Sequence, residues 1–186
     1  MTQKKHVVHH AKLDYFTLAT SGNEFLEEVL KKGTAPDAKN LAGWEFKGFN
    51  TLDITRLVGI RKFKKGFYAD GETVRGYNVK IKPAQSGLME PWVDIEKNGQ
   101  SVKHGWYDIY PVREWEKDNL YPNSLLLNYA CEKNPKLDPS RFLRDYLVQV
   151  DPKNPDLLLG KAYVALGGKR VFMSFFILQR ENRGTL

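Results

Sequence analysis

Few residues in this chain could carry acid, base or nucleophilic chemistry. Cys131 is the single cysteine. It stands in Tyr129-Ala130-Cys131-Glu132-Lys133, without a nucleophile elbow. A catalytic thiol needs a base and an orienting group converging on it, and a lone thiol more often serves as a small apolar filler. His104, within Lys103-His104-Gly105-Trp106, is the one histidine outside the N-terminal stretch, and imidazole suits a general base or a haem ligand. On an alternating strand it shares a face with Val102 and Trp106, which leaves an inward position open to it, although a structural histidine is the commoner state. His6, His9 and His10 have no cysteine or carboxylate beside them, so a metal site is not expected there. The acids Asp94/Glu96 and Glu114/Glu116 are two apart, which on a strand places each pair on one face where the carboxyls could couple. Lys97, Arg113 and Lys117 nearby make surface ion pairs the default. A Gly-rich phosphate loop, a His-Glu-x-x-His helix and a zinc-type cysteine pair are all absent from the sequence, and no cofactor is expected.

Aromatic residues carry the stronger signal. They make up 12% of the chain, and Trp44, Phe46, Tyr77, Trp92, Trp106, Tyr107, Tyr110 and Phe175 all fall on predicted strands. A closed barrel turns about every second strand residue inward, so some of these rings should face an interior. Arg75, Arg113 or Arg144 could then anchor a carboxylate head, since apolar pockets use few polar groups to orient a guest.

The elements that must position these side chains read mainly as strands. A helix is predicted over residues 24–32, with Ser21 and Glu24 in capping-box spacing, Phe25, Leu26, Val29 and Leu30 in one stripe, and Gly33 as its stop. Residues 41–68 organise the rest: a first strand around Trp44 and Phe46, a short helical link over 51–57 expected to act as a lid, and a second strand over 62–68. Asp70-Gly71 and Asn98-Gly99 mark hairpins, giving four strands in a meander that includes residues 92–95. Residues 125–129 lean to strand. Asp138-Pro139-Ser140 reads as a turn or a single-turn helix. Tyr146, Val148 and Val150 alternate, and residues 157–165 and 170–179 follow across breaker-rich turns. The last pass, VFMSFFILQ, is almost continuously apolar, as in a strand covered on both faces or closing a barrel.

The fold class expected is therefore mainly β, an antiparallel meander closing into an eight- to nine-stranded barrel with one flanking helix and a lid. Residues 1–19 form a basic arm in which residues 15–18 could add an edge strand, and residues 20–186 form one domain. At 186 residues the chain is long enough to bury a core. No apolar run approaches the roughly 20 residues that span a bilayer, and no leader pattern is present, so the expected compartment is the cytoplasm, with which a lone cysteine agrees. The net charge of +7 raises nucleic acid or an anionic membrane as partners, but the basic residues are dispersed. Their densest group, Arg61, Lys62, Lys64 and Lys65, reads as a solvated rim before it reads as a phosphate-contacting patch.

Trp44, Phe46 and Gly48 in the first strand, Asp145 with residues 148–151, Leu158-Leu159-Gly160-Lys161 and residues 175–180 together resemble the calycin-like barrels, which include lipocalins and fatty-acid-binding proteins. More closely they resemble small bacterial barrel proteins marked by a Gly-x-Trp-x-Gly strand. The spacing departs from that motif, with Gly43 directly before Trp44 and Phe46 where the motif tryptophan would fall. The resemblance implies an interior cavity for an apolar or amphipathic small molecule and carries no catalytic residue across. The expected function is non-enzymatic binding of a lipid-like or aromatic molecule by Trp44, Phe46, Tyr77, Trp92, Trp106, Tyr110, Phe175, Arg75, Arg113 and His104. The alternatives are an enzyme using His104 as base in the same cavity, and a basic module contacting nucleic acid or membrane through Arg61–Lys65 and the arm.

Overall fold

The computed structural model describes residues 13–52, 61–82 and 87–185. Eight antiparallel strands close into a barrel. In chain order the strands are β1 (Trp44–Asn50), β2 (Lys62–Asp70), β3 (Thr73–Val79), a two-residue pair β4 (Glu96–Lys97) and β5 (Gln100–Ser101), then β6 (Lys103–Pro111), β7 (Leu125–Asn128), β8 (Leu143–Gln149), β9 (Leu157–Leu166) and β10 (Lys169–Arg183). Each barrel strand pairs with its neighbour in sequence, and β1 against β10 closes the ring, with Gly48 opposite Leu178 and Phe49 opposite Ile177. The ladder has no free edge.

Alternation divides the strand residues into two packed sets. The inward set includes Phe46, Phe67, Val74, Tyr107, Ile109, Leu125, Leu127, Leu147, Leu158, Phe176 and Leu178, all buried in one cluster. At this barrel size side chains fill the middle of the interior. Gly76 shows how tightly: the ring of Tyr107 lies where its Cβ would project. The outward set on β1, β8, β9 and β10, including Phe49, Val148, Leu159 and Ile177, forms a second cluster beneath two helices.

Those helices are α1 (Tyr15–Thr20) and α2 (Asn23–Lys32). Residues 15–18 therefore form helix and not an edge strand. Asp14 caps α1 by accepting the Thr17 amide at 2.8 Å, which favours a helical start, and Leu18 is fully buried. α2 presents Leu26, Val29 and Leu30 to the barrel. Its N-cap is Gly22 with no side-chain bond, so the capping box read from Ser21 and Glu24 does not form. At its other end the Asn123 amide donates to the carbonyls of Leu30 at 2.9 Å and Gly33 at 2.8 Å, satisfying acceptors that the helix leaves open. The doubly covered final strand holds for Phe175, Phe176, Ile177 and Leu178, while residues 171–173 are exposed.

A four-residue helix, α3 (Ala38–Leu41), leads into β1, and a 3-10 turn at Pro139–Phe142, capped by Asp138, leads into β8. Residues 92–95 are not a barrel strand: β3 pairs directly with β6, and the intervening segment leaves the ladder, bridged to itself at Ile81–Asp94 and held to the barrel by Trp92 on the Gly48 carbonyl and Asp94 on Lys64. The expected lid over 51–57 lies mostly outside the described residues, as do His6, His9 and His10. Among the described residues no helix is long and apolar enough to cross a membrane.

Candidate functional site

Inside the barrel, Lys65 reaches from β2 to the opposite wall. Its Nζ bonds to Asp145 Oδ2 on β8 at 2.9 Å, to Asn78 Oδ1 on β3 at 3.2 Å and to the hydroxyl of Tyr129 just after β7. Tyr129 donates in turn to Asp145 Oδ2 at 2.9 Å. The side chains of Lys65 and Asp145 are only 3% and 5% exposed. Around the ammonium stand four rings, with centroids at 4.9 Å for Tyr107, 5.1 Å for Tyr129, 5.2 Å for Phe176 and 5.4 Å for Phe63. Phe63 is the only one of the four that is partly exposed.

Backbone geometry aims this cluster. Register shifts between Gly76 and Asn78 where β3 meets β6, and Gly105 opposite the shift has φ of 53°, a conformation open to glycine and costly for a side chain. Its carbonyl accepts Asn78 Nδ2 at 3.0 Å, which fixes the amide so that its oxygen faces Lys65. Asp145 lies between Leu143 and Leu147 in the alternation of β8, so its carboxylate must point inward. Asp145 Oδ1 is buried and has no hydrogen-bond partner among the described residues.

Burial pushes the Lys65 amine below its ordinary pKa, against the opposing pull of the Asp145 charge. Burial, followed by that same charge, pushes the hydroxyls of Tyr107 and Tyr129 well up. The cluster thus holds an amine with a pKa lowered by burial, a carboxylate with an open oxygen, and a phenol that bonds both.

No family model and no curated protein matches the chain. The site therefore has to be read from its own residues.

Of the residues expected to line a cavity, Phe46 is in the interior core, and Trp44 packs at its edge with the guanidinium groups of Arg180 and Arg183 over its ring, at 4.7 and 3.8 Å. The others lie elsewhere. Tyr77 is on the outer face, donating to Glu45 Oε1 at 2.9 Å. Trp92 lies against the outside of β1, its Nε1 donating to the Gly48 carbonyl at 3.0 Å. Trp106 and Arg75 line an outer cleft of about 390 Å³ with Tyr68, Cys131 and Lys133. Tyr110 packs with Arg113, whose partner is Glu116 at 3.1 Å. Phe175 belongs to the core beneath the helices. Arg75 is held by Asp70 and Asp108, and Arg144 by Asp118. His104 is exposed and pairs with Asn78 at the register shift where β3 meets β6. Among the described residues no three His, Cys, Asp or Glu side chains come together to hold a metal ion.

The expected solvated rim is also corrected. Lys62, Lys64 and Lys65 are all buried. Lys62 donates to the Glu90 carbonyl at 2.6 Å beside Trp92, and Lys64 pairs with Asp94 at 3.0 Å and Glu181 at 2.9 Å. Counting by two from Phe63 and Phe67 puts Lys65 on their face, a signal the local charge density obscured.

Proposed function

We propose that the chain is a calycin-like barrel that binds an apolar or aromatic small molecule without transforming it, with the Lys65–Asp145–Tyr129 cluster holding the molecule's polar end. The observation that carries this reading is Asp145 Oδ1, a buried carboxylate oxygen left open in a wall of rings. A buried acceptor without a partner costs about 1–3 kcal/mol, and a buried ion pair is often no more stabilising than apolar residues of the same volume. Neither favours keeping these residues for stability alone. A bound hydroxyl, amine or amide hydrogen would complete the carboxylate, while Phe63, Tyr107 and Phe176 would cover the apolar body. An eight-stranded barrel is of the size that side chains fill or that holds one small ligand, so a guest would enter by displacing an interior ring, and the partly exposed Phe63 is the ring best placed to swing aside.

Native mass spectrometry of protein purified without denaturant tests the reading. A co-purifying small-molecule mass is expected on the parent chain and absent from the double variant Lys65→Met/Asp145→Leu. Equal occupancy of the two, or a bare chain in both after incubation with a panel of apolar alcohols and amines, would overturn it.

A further inference from the structure

The ring-walled cluster contains a primary amine, and a primary amine in such a setting can do more than bind. We infer that Lys65 condenses reversibly with an aldehyde bearing an aromatic or unsaturated apolar body, forming a protonated imine whose counter-ion is Asp145. This rests on the binding reading above and goes further in assigning a covalent step to one atom, Lys65 Nζ.

Three features of the geometry support it. The amine is enclosed by Phe63, Tyr107, Tyr129 and Phe176, with centroids 4.9–5.4 Å away, a wall that suits an unsaturated chain and excludes the water that would hydrolyse an imine. Asp145 Oδ2 lies 2.9 Å from Nζ, within proton-transfer reach. The Tyr129 hydroxyl accepts from Nζ and donates to Asp145 Oδ2, so it links the two groups between which the proton moves. A lysine desolvated in an apolar pocket is the usual form of an imine-forming amine.

The step balances with no oxidant or reductant. Lys65 passes one proton to Asp145, leaving a neutral amine and a carboxylic acid. The nitrogen lone pair forms a bond to the aldehyde carbon, and the carbonyl π pair moves to oxygen. That oxygen takes up the proton released from nitrogen, relayed through the Tyr129–Asp145 pair, to give a carbinolamine. The carbon–oxygen bond then breaks as Asp145 returns its proton to the departing hydroxyl. Water leaves, the nitrogen lone pair closes the C=N bond, and the cationic imine remains beside the regenerated carboxylate.

The experiment uses the full chain, trans-cinnamaldehyde as probe and cyanoborohydride to trap the imine, with peptide mass spectrometry to locate the adduct. Lys65 is expected to be trapped at least about tenfold faster than any exposed lysine. Phe63→Ala should accelerate trapping at Lys65, and Lys65→Arg should abolish the fast phase while leaving slow surface labelling. Cinnamyl alcohol, which cannot condense, separates this inference from the binding reading. If the alcohol binds the parent but the aldehyde labels only surface lysines, in both the parent and Phe63→Ala, the covalent inference is overturned and the binding reading stands. If neither molecule binds or labels, both readings fall.

Discussion

Replacing Lys65 by Met tests directly whether the interior ion pair exists for stability or for function. The substitution nearly conserves volume but removes the cation from Asp145, whose Oδ1 already lacks a partner and whose Oδ2 would keep only Tyr129. Removing one partner of a buried pair costs about 3–5 kcal/mol, because the remaining charge stays desolvated. In a chain of this size each kcal/mol lowers the melting temperature by about 2–4 °C, so a drop of roughly 6–20 °C is expected. Lys65→Met/Asp145→Leu removes both charges and should recover to within about 2 kcal/mol of the parent or exceed it. Urea melts followed by tryptophan fluorescence would measure all three proteins, with m unchanged if the fold is preserved. The reasoning fails if Lys65→Met is as stable as the parent, or if the double variant loses as much as the single one. The first result would mean that the carboxylate left behind is not desolvated, and the second that the polar pair itself holds the barrel closed.

Stability should also report the titrations of the interior. Because the Lys65 amine lies below its unfolded value, the unfolded chain binds more protons than the folded one between that depressed value and about pH 10.4, so stability should rise with pH through this window. Tyr107 and Tyr129 are raised, so above about pH 10 the unfolded chain loses protons that the folded chain keeps, and stability should fall. Urea midpoints from pH 7 to 11 should show a rise and then a fall, and Lys65→Met should flatten the rise alone. Gly76→Ala would drive a methyl into the Tyr107 ring and should cost about 1–3 kcal/mol, whereas Gly71→Ala, in open space but at φ of 61°, should cost only the backbone strain, about 1–2 kcal/mol; the two melts compare close packing with conformation. On the outside, Lys161 pairs with Glu27 at 2.7 Å and bonds to Tyr121, tying α2 to β9. Glu27→Gln should loosen α2 and increase amide exchange in that helix without altering the rates for β2 or β6.

How much of this was visible in the residues depended on the range of the interactions involved. Period-two alternation and hairpin turns are local, so the β character, the Asp70-Gly71 hairpin and the turn at Asp138 could be read in advance, and residues 125–129, which only leaned to strand, form one over Leu125–Asn128. Helix α2 was legible from its stripe, and closure followed from strands that had to satisfy both edges. Short-range rules failed where a neighbour far along the chain decided the outcome. Residues 15–18 have strand-compatible composition but are capped by Asp14 and packed on β10. Trp92 belongs to a segment that leaves the barrel, because β3 bonds directly to β6.

The site was the least legible part. Alternation says which residues share a face, but not which face turns inward; that depends on which face the helices cover, and here α1 and α2 claim the side bearing Phe49, Phe175 and Ile177. Lys65 and Asp145 are 80 positions apart in sequence and meet only because the ring closes and carries β2 and β8 to opposite walls. One sits in a basic run and the other between leucines, so neither advertises the other. Composition and spacing supply the barrel, and closure alone brings an amine, a carboxylate and a phenol together in its buried interior.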